Sequence, residues 1–475
     1  MSAALRQMAL SLLFVGTIGL IGASALPPSP VAEPSGAGST VPAAAGTDPG
    51  PPATLAFAAP TTGSTSVPDV ARSLSVVAYP SDVDVDLRLT DSTGTSVSST
   101  GTYEGELRGE VSLEASGPGL RTESHTLPPD RTGTYEVYLD PADQIVDRTM
   151  VFTTGAAPKQ VAFTPDGSEL WVTLLGGAGV EIFDPVGGER LGGVDLPEAG
   201  AVEVIFDTQG ETAWVSQMET ARVYEVDVAT RTVSRVLETG GSWTKVMTLS
   251  PQEDRLWASN WVSNDVSEFD VATGELVRRI PTVATPRGLA TDAAGTRLYV
   301  AGFDAGELEV IDLATGEGEV IHRTGGAFRH LVRDPAGGGV FASDMAADRI
   351  HLIDPEDDSV DEFATTDRLP NTIDVTPEGR VLVVSNRGRN NPESYYLPGP
   401  EWGSVLLFDT ETGEILDAIV GGNQPTGLDV SEDGEWLAYS DFLDDRVTVL
   451  SLPSAEELRA GGGGRSESYK AELAK

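Results

Sequence analysis

The chain contains no cysteine. That excludes disulfides, thiolate metal sites, a thiol nucleophile and lipid attachment through sulfur. Histidine is nearly as scarce: His125, His322, His330 and His351 are the four present, and their spacing matches no metal-ligand pattern. Basic side chains number 31 against 73 acidic ones, for a formal net charge of −42. Duplex nucleic acid, which needs a broad basic footprint, is not an expected partner. An acidic surface of this kind keeps a protein soluble and self-repelling, a lever that halophiles also use. Beyond residue 25 no apolar run is long enough to span a bilayer. A GxSxG elbow, an HExxH pair and a phosphate-binding loop are also missing, and no cofactor or metal is expected.

What is present favours short strands. Of 475 residues, 53 are glycine and 31 proline, while 40% are hydrophobic, enough for a sizeable core broken by frequent turns. Residues 1–25 read as a signal peptide: Arg6 is followed by an uncharged apolar stretch over 8–23 and by the small-x-small site Ala23-Ser24-Ala25. The stretch is shorter than the ~20 residues a spanning helix needs. A retained N-terminal anchor is the competing reading. Either way the chain is expected to be extracytoplasmic, secreted or at the cell surface. Residues 26–68, rich in Pro, Ala, Gly, Ser and Thr, are expected to be a disordered linker, either a stalk or an unselected spacer.

Residues 69–147 change character. Strand-like runs occur at 73–78, 83–89, 106–115 and 134–139, and predict a small antiparallel β-sandwich. Acidic and apolar residues alternate in Asp82-Val83-Asp84-Val85-Asp86-Leu87, which puts the three aspartates on one face. They lack the Gly and distal Glu of a calcium loop, so a solvated acidic face is the expectation.

From 148 to 458 one unit recurs every ~42 residues, the spacing of propeller blades. It is cleanest over 286–323: four strand-length runs separated by turns. Third strands line up at 180–184, 223–227, 266–270, 308–312, 350–354, 405–409 and 447–451, which is seven units. Trp171, Trp214, Trp257, Tyr299 and Phe341 hold one matched second-strand position, as core between neighbouring sheets. Pro165-Asp166-Gly167 and the Asp-x-x-Thr-Gly-Glu turns beginning at Asp270, Asp312 and Asp409 place glycine where φ must be positive. The seventh unit lacks a fourth strand. A spare strand at 148–153 should complete it and close the ring. The fold class expected is all-β: a seven-bladed β-propeller closed by its N-terminal strand, preceded by the sandwich. Residues 459–475 read as a polar tail.

The recurring Pro-Asp-Gly turn and Asp-x-x-Thr-Gly hairpin resemble the YVTN-repeat β-propeller family, with Leu298-Tyr299-Val300-Ala301 at the name-giving tetrapeptide. The runs Ala78-Tyr79-Pro80-Ser81 and Gly133-Thr134-Tyr135-Glu136 resemble PEGA-type surface modules. The first resemblance implies an extracytoplasmic binding protein, with lactonases among relatives of similar architecture. Fold alone does not fix function.

Registering the units puts Lys159, Val202, Lys245, Arg287, Arg329, Asn371 and Thr426 at one position beside the axis, followed by Gln160, Glu203 and His330. The insertion 385–403 should overhang the same face with Arg387, Arg389, Asn390, Tyr395, Tyr396 and Trp402, near Trp243 and Trp261. Converging cations need a counter-charge, so an anionic small molecule or a cell-envelope glycan is the expected ligand. The competing reading pairs these cations with Glu203, Asp374 or Asp429. Three functions follow: a monomeric surface binding protein, a lactonase-type hydrolase using Asp374, Asp429, His330 or Lys245, or a structural protein packing against a cell-wall or envelope partner.

Overall fold

The computed structural model describes residues 71–475 apart from 82, 130–132, 305, 462 and 464. The expected signal peptide at 1–25, the linker at 26–68 and Asp82 lie outside the described residues. The described chain is all-β except for a helix at Ala455–Ala460 and a 3-10 turn at Ser468–Ala471.

Among the described residues, seven of the eight four-stranded sheets share one construction. In the unit quoted above, Pro286–Thr291, Arg297–Gly302, Glu307–Asp312 and Gly318–Arg323 pair antiparallel in chain order. The turns have the chemistry expected of them. Asp270 Oδ1 accepts from the Thr273 amide at 3.0 Å and from its hydroxyl at 3.0 Å, and Gly274 follows at φ +72°. The five matched rings are buried. Trp171 meets Phe206 of the next sheet edge-on at 5.3 Å, as packing between sheets requires.

Two features join the sheets into one propeller-type body. The strand Asp147–Thr153 adds to Arg446–Ser451 as the fourth strand of the last sheet, with Phe152 opposite Val447. The first strands also touch in a cycle, from Pro158–Phe163 through Ala201–Phe206 and onward to Pro425–Val430, which returns to Pro158–Phe163. At that last contact a Cβ on Gly427 would lie 2.6 Å from Gln160 Cα, so only glycine lets the strands approach this closely.

Each first strand breaks register with its second strand near its start. A bulge frees backbone groups and re-aims a side chain. Buried hydroxyls on the second strands take up those groups. Ser259 Oγ accepts from Val246 N at 3.1 Å and donates to Arg287 O of the next sheet at 2.8 Å. Ser343 does the same for His330 N and Asn371 O, and Ser385 for Thr372 N and Thr426 O.

The N-terminal unit has a three-stranded sheet, Thr102–Arg108, Ala71–Tyr79 and Gly133–Tyr138, and a four-stranded one built from Ser96–Thr100, Asp86–Asp91, Val111–Ser116 and Glu123–Leu127. One hydrophobic cluster spans both. Two expectations are corrected here. The run 106–115 is two strands, because Gly109 turns the chain at φ +59°. Ala71–Tyr79 pairs parallel to Gly133–Tyr138, so that sheet is mixed rather than antiparallel. Asp84 and Asp86 are exposed opposite buried Val85 and Leu87.

The C-terminal stretch is polar in composition yet docked. Tyr469 is fully buried, and Arg465 donates to Ala418 O at 2.9 Å and to Asp143 and Glu472.

Replacing Ser259 with alanine leaves Val246 N–H without its partner in a dry interface. Urea unfolding of Ser259→Ala should show a loss of about 1–3 kcal/mol, and Ser259→Thr should recover most of it. An unchanged midpoint would contradict the role given to these hydroxyls.

Candidate functional site

The bulge turns the second residue of several first strands toward the axis, and four of those residues are cations. Lys159, Lys245, Arg287 and Arg329 line one small void with Glu203 and His330. With Arg387, these cations keep only 4–8% of their surface exposed. None of the five forms an ion pair among the described residues. Arg287 Nε, Arg387 Nε, His330 Nδ1 and both side-chain amide atoms of Asn371 are buried with no hydrogen-bond partner. The void is about 10 Å³, room for one water-sized occupant.

A second tier covers these cations. The residues directly after the second strands are Leu175, Met218, Trp261, Phe303, Met345, Arg387 and Phe442. Each donates its amide to the carbonyl of a residue just before a first strand, as Trp261 N does to Trp243 O at 2.9 Å and Phe442 N to Gln424 O at 3.1 Å. Lys245 Nζ lies 5.4 Å from the Trp243 ring and 5.2 Å from Trp261, and Arg287 lies 5.4 Å from Trp261. Lys159 Nζ lies 5.0 Å from Phe442, and Arg387 stacks 4.0 Å over Tyr395. Arg387 also donates to Gln424 Oε1. Ring faces attract cations by about 0.5–2 kcal/mol, which offsets only part of the desolvation.

The electrostatics show that the balance is incomplete. Burial, then neighbouring cations, hold Lys159 and Lys245 well below the usual lysine range. Burial brings Arg287 down to about 10. His330 falls to about 4 through burial and Arg287. The Glu203 carboxyl is pushed up to about 8 by burial, against the pull of Arg287 and Lys159.

Beyond Gln160, Glu203, Val246 and His330, which line both spaces, the channel widens to about 510 Å³ toward the turns between first and second strands. Asp374 and Asp429 stand here. Pairing of these aspartates with the cations is not found. Asp374 accepts from Val375 N and Val430 N at 2.8 Å each, and Asp429 accepts from Phe163 N at 2.7 Å. They stitch neighbouring first strands together. Arg389 is the other correction: it is exposed, 3.9 Å from Glu401, and does not line the void, since Gly388 at φ +72° separates its direction from that of Arg387. Lys159, Lys245, Arg287, Arg329 and His330 do meet at the void, with Arg387, Trp243 and Trp261 above it. Phe442, Phe303, Gln424 and Met218 were not anticipated. The recurrence of a bulky residue just after the second strand was the available signal. Among the described residues no group of three His, Asp or Glu side chains gathers within reach of one metal ion.

The aspartate pair generates a pH test. Burial pushes Asp374 up to about 7, and burial with the Asp374 charge pushes Asp429 well above the carboxylate range. The folded chain therefore holds a proton that the unfolded chain releases. That contribution is fully present below the ordinary value of 3.8 and is lost as pH rises toward 7. In urea unfolding, the stability of Asp374→Asn relative to the parent should rise by roughly 1–3 kcal/mol between pH ~4 and ~7, then level off. A difference independent of pH would contradict the assignment.

No protein-family model matches the chain. By fold it is similar to a chain of Kuenenia stuttgartiensis hydrazine synthase, with a TM-score of 0.54 and 18% identity, over 63% of this chain and 97% of that one. That likeness concerns the propeller-type architecture alone. By sequence it is similar to antigen Lp49 of Leptospira interrogans serogroup Icterohaemorrhagiae serovar copenhageni, with 33% identity over 355 residues. The match spans 72% of this chain and 77% of the antigen, and the chain belongs to the family of Lp49.

Proposed function

We propose that this protein is a surface-exposed, extracytoplasmic binding protein that holds a small anion on the axis of a seven-bladed, YVTN-type propeller carrying a PEGA-like β-sandwich. The observation behind this reading is the buried cluster of Lys159, Lys245, Arg287, Arg329 and Arg387, opposed at the void by the single carboxylate of Glu203 and left with unpartnered guanidinium Nε atoms. Isolated buried charges are strongly unfavourable, and an anion supplies both the counter-charge and the hydrogen-bond acceptors. The void admits a halide-sized ion, and a larger anion only if the residues around it move apart. Kinship to a protein named as an antigen supports placement at the cell surface. The hydrolase reading is weaker, because the carboxyl groups of Asp374 and Asp429 already accept backbone N–H groups.

Thermal unfolding in chloride, nitrate, acetate and phosphate tests the reading at fixed ionic strength. At least one anion should give a saturable rise in Tm. Each charge-assisted bond contributes roughly 1.5–3 kcal/mol, so Arg287→Met or Lys245→Met should weaken the response at least tenfold. Both variants should also raise the Tm of the anion-free protein, since each removes a like charge from a dry cluster. Equal responses in parent and variants, or a lowered Tm without anion, would overturn the proposal.

A further inference from the structure

A second pocket, about 520 Å³, lies where distant parts of the chain meet. The ends of Ala71–Tyr79 and Gly133–Tyr138 form one wall, and the last propeller sheet forms another. Trp402 from the insertion and Arg465 and Glu472 from the C-terminal stretch complete it. Pockets of this size at the junction of two folded units are favoured places for ligands. The axial reading makes no use of this one.

Its chemistry differs from that of the axis. The three guanidinium groups on its wall are already bonded to carboxylates: Arg148 to Asp140 at 3.2 Å, Arg446 to Asp441 at 2.7 Å and Arg465 to Glu472 at 2.8 Å. The acidic groups facing it are engaged too. Asp143 meets Arg465 at 2.9 Å, and Asp444 lies 3.6 Å from Arg446. A charged ligand would have to break one of these pairs. Paired carboxylates and guanidiniums still offer spare lone pairs and N–H groups to a hydroxyl. Between them stand aromatic rings. Tyr79 and Tyr138 stack at 4.9 Å and 14°, and Trp402 and Tyr439 line the same space.

Flat rings beside neutralised, hydrogen-bonding ion pairs suit a molecule with apolar C–H faces and an equator of hydroxyls. We propose that this junction pocket binds a neutral saccharide, with its C–H face against the aromatic wall and its hydroxyls on Asp444, Glu472 and Arg446. The site is separate from the axial one and does not depend on it.

The test is titration calorimetry of the full chain with glucose, galactose, mannose, N-acetylglucosamine and their disaccharides, beside the acidic sugar glucuronate. At least one neutral sugar should bind saturably. Truncating an aromatic anchor should weaken that binding roughly tenfold or more, both in Tyr79→Ala and in Trp402→Ala, while Trp402→Phe retains most of it. Arg287→Met, which alters only the axial cluster, should leave sugar binding unchanged. Failure of every neutral sugar to bind, binding of glucuronate alone, or binding that persists in both alanine variants would overturn the proposal. Trp402 lies in a surface insertion, so its variant carries the test if Tyr79→Ala does not fold.

Discussion

A cation taken out of water must find a counter-charge or lose its proton. Five cations around this axis meet that constraint only in part. Aromatic rings face three of the axial four or their neighbours, and Glu203 lies among them without forming an ion pair. The remaining deficit is expressed as depressed lysine basicity and as guanidinium nitrogens with no acceptor. A chain with 73 acidic side chains could have neutralised this cluster with nearby carboxylates. Instead Asp374 and Asp429, half-buried in the adjoining channel, are turned to backbone amides. The arrangement leaves the axis positive inside a strongly negative molecule; on the proposed reading, an anion would be repelled at long range and held at short range.

The backbone is what makes that convergence affordable to the fold. First strands meet in a cycle, and each carries a register break near its start. The second-strand hydroxyls satisfy the amides that those breaks release and reach across to the carbonyl of the next axial residue. Positions 245, 287, 371 and 426 are thereby fixed by the neighbouring sheet as well as by their own. The same scaffold sets the covering tier, since each residue after a second strand bonds back to the start of a first strand. Axial cations and their roof are two consequences of one repeated hydrogen-bond pattern.

Much of this was legible in the residues. Period, hydrophobic pattern and turn chemistry located the third strands, the buried ring at Trp171 and its equivalents, and the spare strand at 148–153, which the structure begins one residue earlier. Because the repeat is regular, its register also brought Lys159, Lys245, Arg287 and Arg329 together. Where the repeat is interrupted, the reading failed. Arg389 sits two residues beyond Arg387, but a glycine with φ +72° between them sends one inward and the other into solvent. Composition made 459–475 look like a tail, yet Arg465 is buried because Asp143 and Glu472 neutralise it in place. The parallel pairing of Ala71–Tyr79 with Gly133–Tyr138 had no local signature, since it joins strands about sixty residues apart through a crossover.

The two openings described here divide the chemistry of the molecule. The axis concentrates unpaired positive charge in a space the size of a water molecule, whereas the junction offers a larger cavity whose charges cancel. The central claim concerns the first. Diffraction from crystals of the full chain transferred into bromide, recorded at the bromine edge, tests it directly. An anomalous peak on the axis within hydrogen-bonding reach of Arg287 and Arg387, absent from Arg287→Met crystals, is the expected result. Bromide found only on the outer surface, with an empty or water-filled axis, would contradict the account.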